Sequence, residues 1–277
     1  MIRPARPRRP AARGVVPPAE PRPPARVTRA LAARPPNARG AAVLYIGIDD
    51  TDVADSPGTN QLARRIAGRL PPGFTARLVV RHQLLLDPRI PYTSRNGSAS
   101  LRIEAEAGAD ARELLPMLRA EITAFAPRGS DPGLCLADRV PAEVAAFGAR
   151  CKRERLRIAE ARSLAVMNGI VLEGLGGSND GVIGALAAVG LLSGGDDGRV
   201  VHMPGWAWPD DAVRGRQPVE TIHALGVDEI RDIRSGRPVR PAAVDIGKRL
   251  RPALRDGRVV LFVETNGRGG CAAVKTM

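Results

Sequence analysis

A short apolar run that ends in a cluster of acids constrains the fold of this chain more than any other feature. Residues Val43-Leu44-Tyr45-Ile46-Gly47-Ile48 are followed at once by Asp49-Asp50-Thr51-Asp52. An apolar run of this length is typical of a buried strand. We therefore predict that three carboxylates lie together at the end of a strand.

Helix and strand patterns alternate along the rest of the chain. Leu62, Ile66 and Leu70 recur every four residues with arginines between them, which predicts an amphipathic helix that starts near Thr59. Strands are also predicted at Thr75–His82, Ser98–Glu106, Gly133–Ala137, Ile170–Leu172 and Val259–Glu264, and helices at Ala111–Phe125, Ala142–Met167, Val182–Gly190 and Asp228–Ile233. This alternation indicates an α/β chain of the mixed α+β kind.

The first 40 residues differ in composition from the rest. They hold ten of the 25 prolines, ten arginines and a single acid, Glu20, so they carry +9 of the formal net charge of +13 and leave only +4 on the remainder. Proline interrupts helices, and the segment has too few apolar groups to form a core. We expect a disordered arm, which is either an upstream extension or an arm that contacts RNA.

The cysteines, histidines and apolar runs argue against several classes of protein. The three cysteines are isolated and form no C-x-x-C pair, which argues against a disulfide framework and a structural zinc site and fits a reducing cytoplasm. The three histidines are far apart in sequence, which favours structural over catalytic roles. The longest apolar runs, such as Val182–Leu192, fall well short of the ~20 residues that a membrane-spanning helix needs.

The acidic cluster offers a site for a divalent cation. Three carboxylates within four residues repel one another unless a cation neutralises them or water surrounds them. Mg²⁺ prefers oxygen ligands, usually one or two carboxylates together with substrate phosphates. Asp49, Asp50 and Asp52 are therefore candidate metal ligands, and the alternative is a solvated acidic turn.

Two further segments have the pattern of a phosphate site. Gly58-Thr59 opens a predicted helix with backbone N–H groups and a hydroxyl that suit a phosphate, although Thr is also a common helix cap. The glycine-rich loop Gly174–Gly181 precedes an apolar helix, so Asn179, Asp180 and Gly181 are candidate phosphate-binding residues. The alternative for this loop is tight helix packing without a ligand.

A basic loop separates two of the predicted strands. Arg81, Arg89 and Arg95 flank Tyr92, and Asn96 follows them. Arginine binds phosphate through two parallel hydrogen bonds, and tyrosine stacks on a base, so the loop is a candidate contact for a nucleotide or for RNA. The alternative is a set of scattered, solvated arginines. An aromatic content of 3% argues against a broad base-stacking surface.

Several segments, in the same order, resemble the tRNA(Ile) 2-agmatinylcytidine synthetase family. Ile46–Asp52 is similar to the family's G-I-D-D-T-D strand end, and Gly58–Gln61 stands at the spacing of its C-T-T-Y segment. Asp87–Ser98 is similar to its N-P-x-I-P-[WY]-x-[TS]-R-x-N-x-[AS] loop. Asp131–Gly133 resembles its D/H-P-G turn, and Gly181–Gly190 resembles its G-x-I-G-A-L-A-A-I-G helix.

The resemblance covers about residues 43–192 and implies an ATP- and Mg²⁺-dependent enzyme. In that family a kinase-like domain phosphorylates the wobble cytidine of a tRNA and a threonine. On this basis Thr59 matches the phosphorylated threonine, and the three aspartates match the acidic nucleotide–metal site. We predict the catalytic residues Thr59, Asp50 and Arg95, the nucleotide-binding residues Gly58, Arg81, Asn96, Asn179, Asp180 and Gly181, and the metal ligands Asp49, Asp50 and Asp52.

The resemblance also predicts how the chain is divided. A kinase-like α/β domain is expected at residues 41–128 and a ferredoxin-like α+β domain at residues 129–245. The arm at residues 1–40 precedes them, and a C-terminal strand extension at residues 246–277 follows them.

The chain departs from the family at two points. It has no counterpart of the OB-fold and the Cys-rich zinc ribbon with which the family grips tRNA, so we expect a short form that acts on tRNA or joins a separate RNA-binding subunit. Gly58-Thr59-Asn60-Gln61 replaces C-T-T-Y, which leaves the acceptor open between tRNA, agmatine and another small molecule. The alternative function is a non-catalytic nucleotide- or RNA-binding subunit.

Overall fold

The computed structural model describes residues 42–93, 95–206, 213–265 and 270–276. These residues form a mixed α+β fold, in which twelve strands join in one sheet accompanied by six α-helices. None of the described helices is both long enough and apolar enough to cross a bilayer. The predicted arm at residues 1–40 lies outside the described residues.

The strands are β1 (Ala42–Asp49), β2 (Phe74–Arg81), β3 (Ala99–Ala105), β4 (Gly133–Ala137), β5 (Val171–Gly174), β6 (Arg199–His202), β7 (Arg216–Pro218), β8 (Glu229–Asp232), β9 (Ala243–Asp245), β10 (Ala253–Arg255), β11 (Arg258–Thr265) and β12 (Cys271–Ala273). The helices are α1 (Thr59–Ala67), α2 (Leu114–Phe125, after a 3-10 turn at Ala111–Glu113), α3 (Ala142–Cys151), α4 (Ile158–Met167), α5 (Gly181–Gly194) and α6 (Val219–Ala224). The sheet order is β5-β4-β1-β3-β2-β6-β10-β11-β12-β9-β7, and β8 pairs with β11.

The apolar run at the start of the described chain forms β1, as predicted. β1 is paired on both sides, antiparallel to β3 and to β4. Ile46 and Ile48 are fully buried and pack in one cluster with Leu62 of α1 and Leu118 of α2. Burial of each such side chain stabilises the fold by roughly 1.5–3 kcal/mol, which fixes the end of β1 at Asp49 against the core.

The first six elements place the ends of β1 and β2 at one edge of the sheet. Their order is β1-α1-β2-β3-α2-β4 and their strands lie in the order β4-β1-β3-β2, which is typical of a ferredoxin-like unit. Since β1 and β2 are both antiparallel to β3, they run in the same direction, and Asp49 and Arg81 end at the same edge.

The ferredoxin-like order occupies residues 42–137, largely N-terminal to the segment for which the family resemblance implies such a domain. The sheet joins strands from the predicted segments 41–128, 129–245 and 246–277. The proposed division into domains therefore stays a prediction.

Two of the predicted helices are wrong. The helix predicted at Ala142–Met167 is two helices, α3 and α4, separated by residues 152–157. The N–H of Leu85 donates to the carbonyl of Cys151 at 3.0 Å, so the end of α3 is bound to the loop after β2. Asp228–Ile233 contains the strand β8 instead of a helix, because pairing in parallel with the buried β11 outweighs local propensity.

Helix α5 lies against its neighbours with almost no separation, because glycines stand where backbones meet. A Cβ at Gly47 of β1 would overlap the carbonyl oxygen of Ala185 in α5. A Cβ at Gly190 of α5 would overlap the carbonyl oxygen of Val144 in α3. α5 is buried on nearly all sides, so this contact between β1, α3 and α5 holds one layer of the fold on the sheet.

We predict that Gly190→Ala lowers the free energy of unfolding by about 1–3 kcal/mol, since the added methyl group forces α5 away from α3. Gly194→Ala is the matched control in the same helix, because a Cβ there meets nothing within 4 Å and alanine favours helix by up to about 1 kcal/mol. Urea denaturation of both variants measures the difference. Equal effects of the two substitutions would contradict the close packing.

Candidate functional site

Hydroxyl groups hold the acidic turn at the end of β1. Thr51 is fully buried, and its Oγ1 donates to Oγ1 of Thr59 at 3.1 Å. Oγ1 of Thr59 in turn donates to Oδ1 of Asp52 at 2.9 Å, and Oγ1 of Thr93 donates to Oδ2 of Asp52 at 3.0 Å. Both oxygens of Asp52 therefore already accept hydrogen bonds, and Asp50 is the turn residue with the left-handed φ of 51°.

Asp49 and Asp50 are carboxylates whose charge the surrounding protein disfavours. Burial, followed by the charge of Asp50, raises the pKa of Asp49 to about 8. Burial, followed by the charges of Asp131 and Asp52, raises the pKa of Asp50 to about 6. Each pKa would fall if a cation bound between them, because a positive charge favours the ionised carboxylates.

A cleft of about 760 Å³ opens at this end of β1. Its walls come from the acidic turn, the loop between β2 and β3, the link between α3 and α4, and the first turn of α5. A nucleotide is of the size that clefts of roughly 300–1,000 Å³ accept. The cleft is therefore the candidate ligand site.

The structure brings most of the predicted site residues to this cleft. Those that line it are Asp49, Asp50, Asp52, Arg95, Asn96, Asp180 and Gly181. Gly58, Thr59, Arg81 and Asn179 lie outside its lining. Thr59 is only 4% exposed, because it lies behind Asp52.

Asn96 makes two hydrogen bonds within the loop between β2 and β3. Its Nδ2 donates to the carbonyl of Leu85 at 2.7 Å, and its carbonyl accepts from the N–H of Leu84 at 2.9 Å. Gly97 then lies against the guanidinium of Arg81, where a Cβ would stand 2.9 Å from Nη2. These contacts shape the loop that carries Arg95 into the cleft.

The start of α5 is better suited to a cation than to a phosphate. The N–H of Gly181 already donates to the carbonyl of Asp131, before β4, at 3.1 Å. The N–H groups of Val182 and Ile183 donate to carbonyl oxygens of the preceding loop, at 3.3 and 3.1 Å. The carboxylate of Asp131 accepts from both the N–H and the hydroxyl of Ser178 at 2.8 Å. Asp180 stands at the cleft, and its charge contributes to the raised pKa of Asp50.

The link between α3 and α4 carries basic residues that the sequence patterns did not predict. Arg155 and Arg157 line the cleft, and neither guanidinium lies within ion-pair distance of a carboxylate in the described ranges. Because a continuous helix was predicted across this segment, these arginines were not recognised as part of a loop. The signal was the apolar spacing, because positions 154 and 155, where the stripe Val144, Phe147 and Cys151 should continue, are both charged.

Two nucleophile candidates do not face the cleft in a reactive form. Burial raises the pKa of the Cys151 thiol to about 12, so it stays protonated at neutral pH. Ser100, His82 and Asp197 form a hydrogen-bonded series, with His82 contacting Ser100 Oγ at 2.7 Å and Asp197 Oδ2 at 2.8 Å. Ser100 and His82 are fully buried, so the series acts as a structural link.

The carboxylates fit one magnesium ion with two protein ligands. Among the residues that the structure describes, no group of three or more His, Cys, Asp or Glu side chains has the arrangement of a metal site. Asp52 is occupied by two hydroxyl donors, whereas Asp49 and Asp50 are adjacent, and the charge of Asp50 contributes to the raised pKa of Asp49. Mg²⁺ commonly takes one or two carboxylates and completes its shell with phosphate and water. The set of three ligands stays a prediction.

The chain is partly similar to solved structures of tRNA-modifying enzymes. A tRNA fluorescent labeling enzyme is 28% identical over 53% of this chain and 36% of its own, with a TM-score of 0.47. Apo TiaS, the tRNA(Ile2) agmatidine synthetase, is 27% identical over 53% of this chain and 35% of its own, also at 0.47. The TiaS–tRNA(Ile2)–ATP complex is 22% identical over 66% and 44%, at 0.48.

The chain thus spans less than half the length of each of these proteins. All three TM-scores lie below 0.5, so the structural similarity is only partial. No protein-family model and no curated protein matches the chain.

We predict that the ionisation of Asp49 lowers the stability of the metal-free protein as pH rises from about 4 to 8. The pKa of Asp49 is raised from 3.8 to about 8 on folding, so the unfolded chain ionises first and each rise in pH favours unfolding. One pKa unit corresponds to about 1.4 kcal/mol, so a loss of at least about 1 kcal/mol is expected.

Asp49→Asn should remove most of this loss, because an amide does not ionise. Urea denaturation at pH 5 and pH 8 in a chelator measures it, with Asp55→Asn, an exposed aspartate in the same turn, as the control. An unchanged pH dependence in Asp49→Asn would mean that Asp49 is ionised throughout.

Proposed function

We propose that this chain is an ATP- and Mg²⁺-dependent phosphoryl-transfer enzyme, and that the cleft at the end of β1 is its active site. One observation carries the proposal: two carboxylates with raised pKa values and the arginines Arg95, Arg155 and Arg157 line the same cleft of about 760 Å³. Carboxylates and arginines around one nucleotide-sized space suit a triphosphate with its cation.

The acidic residues of the cleft hold the cation in this proposal. Asp49 and Asp50 are its protein ligands, and Asp180, the N-cap residue of α5, adds negative charge near Asp50. Bound Mg·ATP would supply the transferable phosphoryl group and a cation that neutralises phosphate charge. Asp52 is held by two hydroxyls, which keeps its charge next to the ligands without placing it on the ion.

The arginines of the cleft bind phosphate oxygens in this proposal. Arg95 comes from the loop between β2 and β3, and Arg155 and Arg157 come from the link between α3 and α4. A guanidinium offers two parallel donors to a phosphate and stabilises charge that develops on its oxygens during transfer. Arg89 also lines the cleft but is already bound to Asp87 by two side-chain hydrogen bonds, which makes it a weaker candidate.

A short apolar segment of the cleft lining suits a nucleobase. Ile90, Pro91 and Tyr92 line the cleft, and Tyr92 is 43% exposed. An exposed aromatic ring beside phosphate-binding groups stacks on a nucleobase. We therefore propose that the base of the nucleotide, or of an RNA acceptor, binds at these three residues.

The resemblance of the motifs to the synthetase family supports both the reaction class and the candidate acceptors. On that basis the acceptor is the wobble cytidine of a tRNA or a small amine. TiaS has been solved in complexes with tRNA, ATP and agmatine, so these are the first compounds to test.

Two different roles can be proposed for Thr59, and its burial and hydrogen bonding bear on both. The resemblance proposes that its hydroxyl accepts a phosphoryl group. In the structure the hydroxyl is buried and donates to Asp52, so it positions that carboxylate, and phosphorylation would require the acidic turn to move.

We expect Asp50→Asn to reduce the transfer of label from γ-labelled ATP by roughly 100-fold or more, because it removes one of two metal ligands. The purified chain is incubated with Mg²⁺, labelled ATP, and total tRNA or agmatine. Asp55→Asn is the control, since that aspartate is exposed and does not line the cleft. Equal turnover in Asp50→Asn would reject the metal role.

A wild-type chain that binds nucleotide tightly and transfers no label to any acceptor would instead favour the non-catalytic binding subunit. Nucleotide binding is therefore measured in parallel, by equilibrium dialysis.

Thr59→Ser and Thr59→Val distinguish the covalent role from the positioning role. If Thr59 carries the phosphoryl group, label appears on the wild-type protein and on Thr59→Ser but is absent from Thr59→Val. If Thr59 only positions Asp52, no label is found at this residue, and Thr59→Ser retains full turnover while Thr59→Val loses part of it. Mass spectrometry of the labelled protein locates the phosphate.

A further inference from the structure

Two arginines face each other across adjacent strands at the edge of the sheet that carries the acidic turn. The antiparallel pairing of β2 with β6 places Arg81 directly opposite Arg199. Residues opposite each other in a pair of strands project on the same face. Like charges in this arrangement repel, so the pairing of two arginines is costly unless an anion binds between them.

Further arginines join this pair from the segment before β10. Arg199 is also paired with Ala253 of β10, and the N–H of Val200 donates to the carbonyl of Pro252 at 2.9 Å. These contacts hold Arg249 and Arg251 close enough that their charges act on Arg199. Four arginines from three separate parts of the chain are therefore near enough for their charges to act on one another.

The group is partly enclosed, which strengthens the repulsion. Arg81, Arg199 and Arg251 are each half-buried. Burial, followed by the charges of Arg81, Arg251 and Arg249, lowers the pKa of Arg199 to about 10. Burial and the charge of Arg95 lower the pKa of Arg81. Such effects on an arginine require positive charge concentrated in a space with little water.

Three of these arginines have little negative charge beside them in the described part of the chain. Within the described residues, no carboxylate lies within 4.0 Å of the guanidinium nitrogens of Arg81, Arg199 or Arg251. Asp52 acts on Arg81 only from a greater distance. A phosphate, which arginine binds through paired hydrogen bonds, would satisfy both the charge and the donors.

We propose that Arg199 and Arg251, with Arg81 and Arg249, form a second phosphate-binding site that adjoins the cleft but is separate from it. None of the four arginines lines the cleft, although Arg81 lies against Gly97 of the loop that does. The ligand is a phosphate group carried by a larger molecule, either the terminal phosphates of a polyphosphate or the backbone of a nucleic acid. The site does not depend on phosphoryl transfer.

The test compares two double variants of the full chain. Arg199→Gln/Arg251→Gln removes the two half-buried arginines. Arg237→Gln/Arg240→Gln, in the exposed loop between β8 and β9, removes the same number of charges elsewhere. The control also preserves the Arg-rich residues 1–40, so any binding by that segment is equal in both proteins.

Binding is measured by calorimetry at low salt with two probes, inorganic tripolyphosphate and a single-stranded oligouridylate of twelve nucleotides. We expect Arg199→Gln/Arg251→Gln to bind one probe at least about 10-fold more weakly than the control does. Selective loss of tripolyphosphate assigns the site to terminal phosphates, and selective loss of oligouridylate assigns it to a nucleic-acid backbone. Affinities equal to those of the control for both probes would overturn the proposal.

Thermal unfolding without ligand provides an independent readout. Relief of repulsion should leave the melting temperature of Arg199→Gln/Arg251→Gln unchanged or higher, and tripolyphosphate should stabilise the wild type more than this variant. A melting temperature well below the control's would indicate that the arginines are structural and would overturn the proposal. Asp50→Asn should keep this binding, so failure of the phosphoryl-transfer proposal and failure of this one are told apart.

Discussion

The close contact between α5 and β1 is the constraint on which the rest of the structure depends. Side chains normally keep the backbone of a helix away from that of the sheet it packs on, whereas glycine lets the two backbones touch. A Cβ at Gly184 of α5 would overlap the carboxylate of Asp49, and a Cβ at Gly181 would overlap the carbonyl of Asp131. The contact therefore buries Asp49, sets the first turn of α5 beside the acidic turn and defines one wall of the cleft.

The charged side chains that line the cleft include groups whose arrangement costs free energy when no ligand is bound. Acidic groups gather where β1 meets α5, and the arginines of the cleft come from two other segments and are exposed. The acidic cluster is costly alone, since its like charges are held together in partly buried positions. A ligand that carries a cation and phosphates would relieve this cost and engage the exposed arginines. The energetic strain of the site is thus itself an argument for its ligand.

The sequence predicted elements well where one local pattern dominated. The apolar run before Asp49, the strand at Gly133–Ala137 and the helix after Gly181 all formed as expected, because each buries a continuous apolar stretch. The helix predicted across Ala142–Met167 failed where tertiary contacts ended it: Leu85 binds the carbonyl at the end of α3, and Lys152 binds Gln83 and Asp197. The segment contains no Gly or Pro, so the interrupted apolar spacing at positions 154 and 155 is its local sign of the break.

The sequence by itself determined which chemistry is present: clustered carboxylates after a strand, a loop rich in arginine and a glycine-rich segment before an apolar helix. Only the tertiary structure decided which of these groups share a space. It turned Asp52 toward two hydroxyls, left Thr59 buried, and brought Arg155 and Arg157 into the cleft. The physical reason is that strand pairing and helix packing join residues far apart in the chain, and no local pattern encodes that meeting.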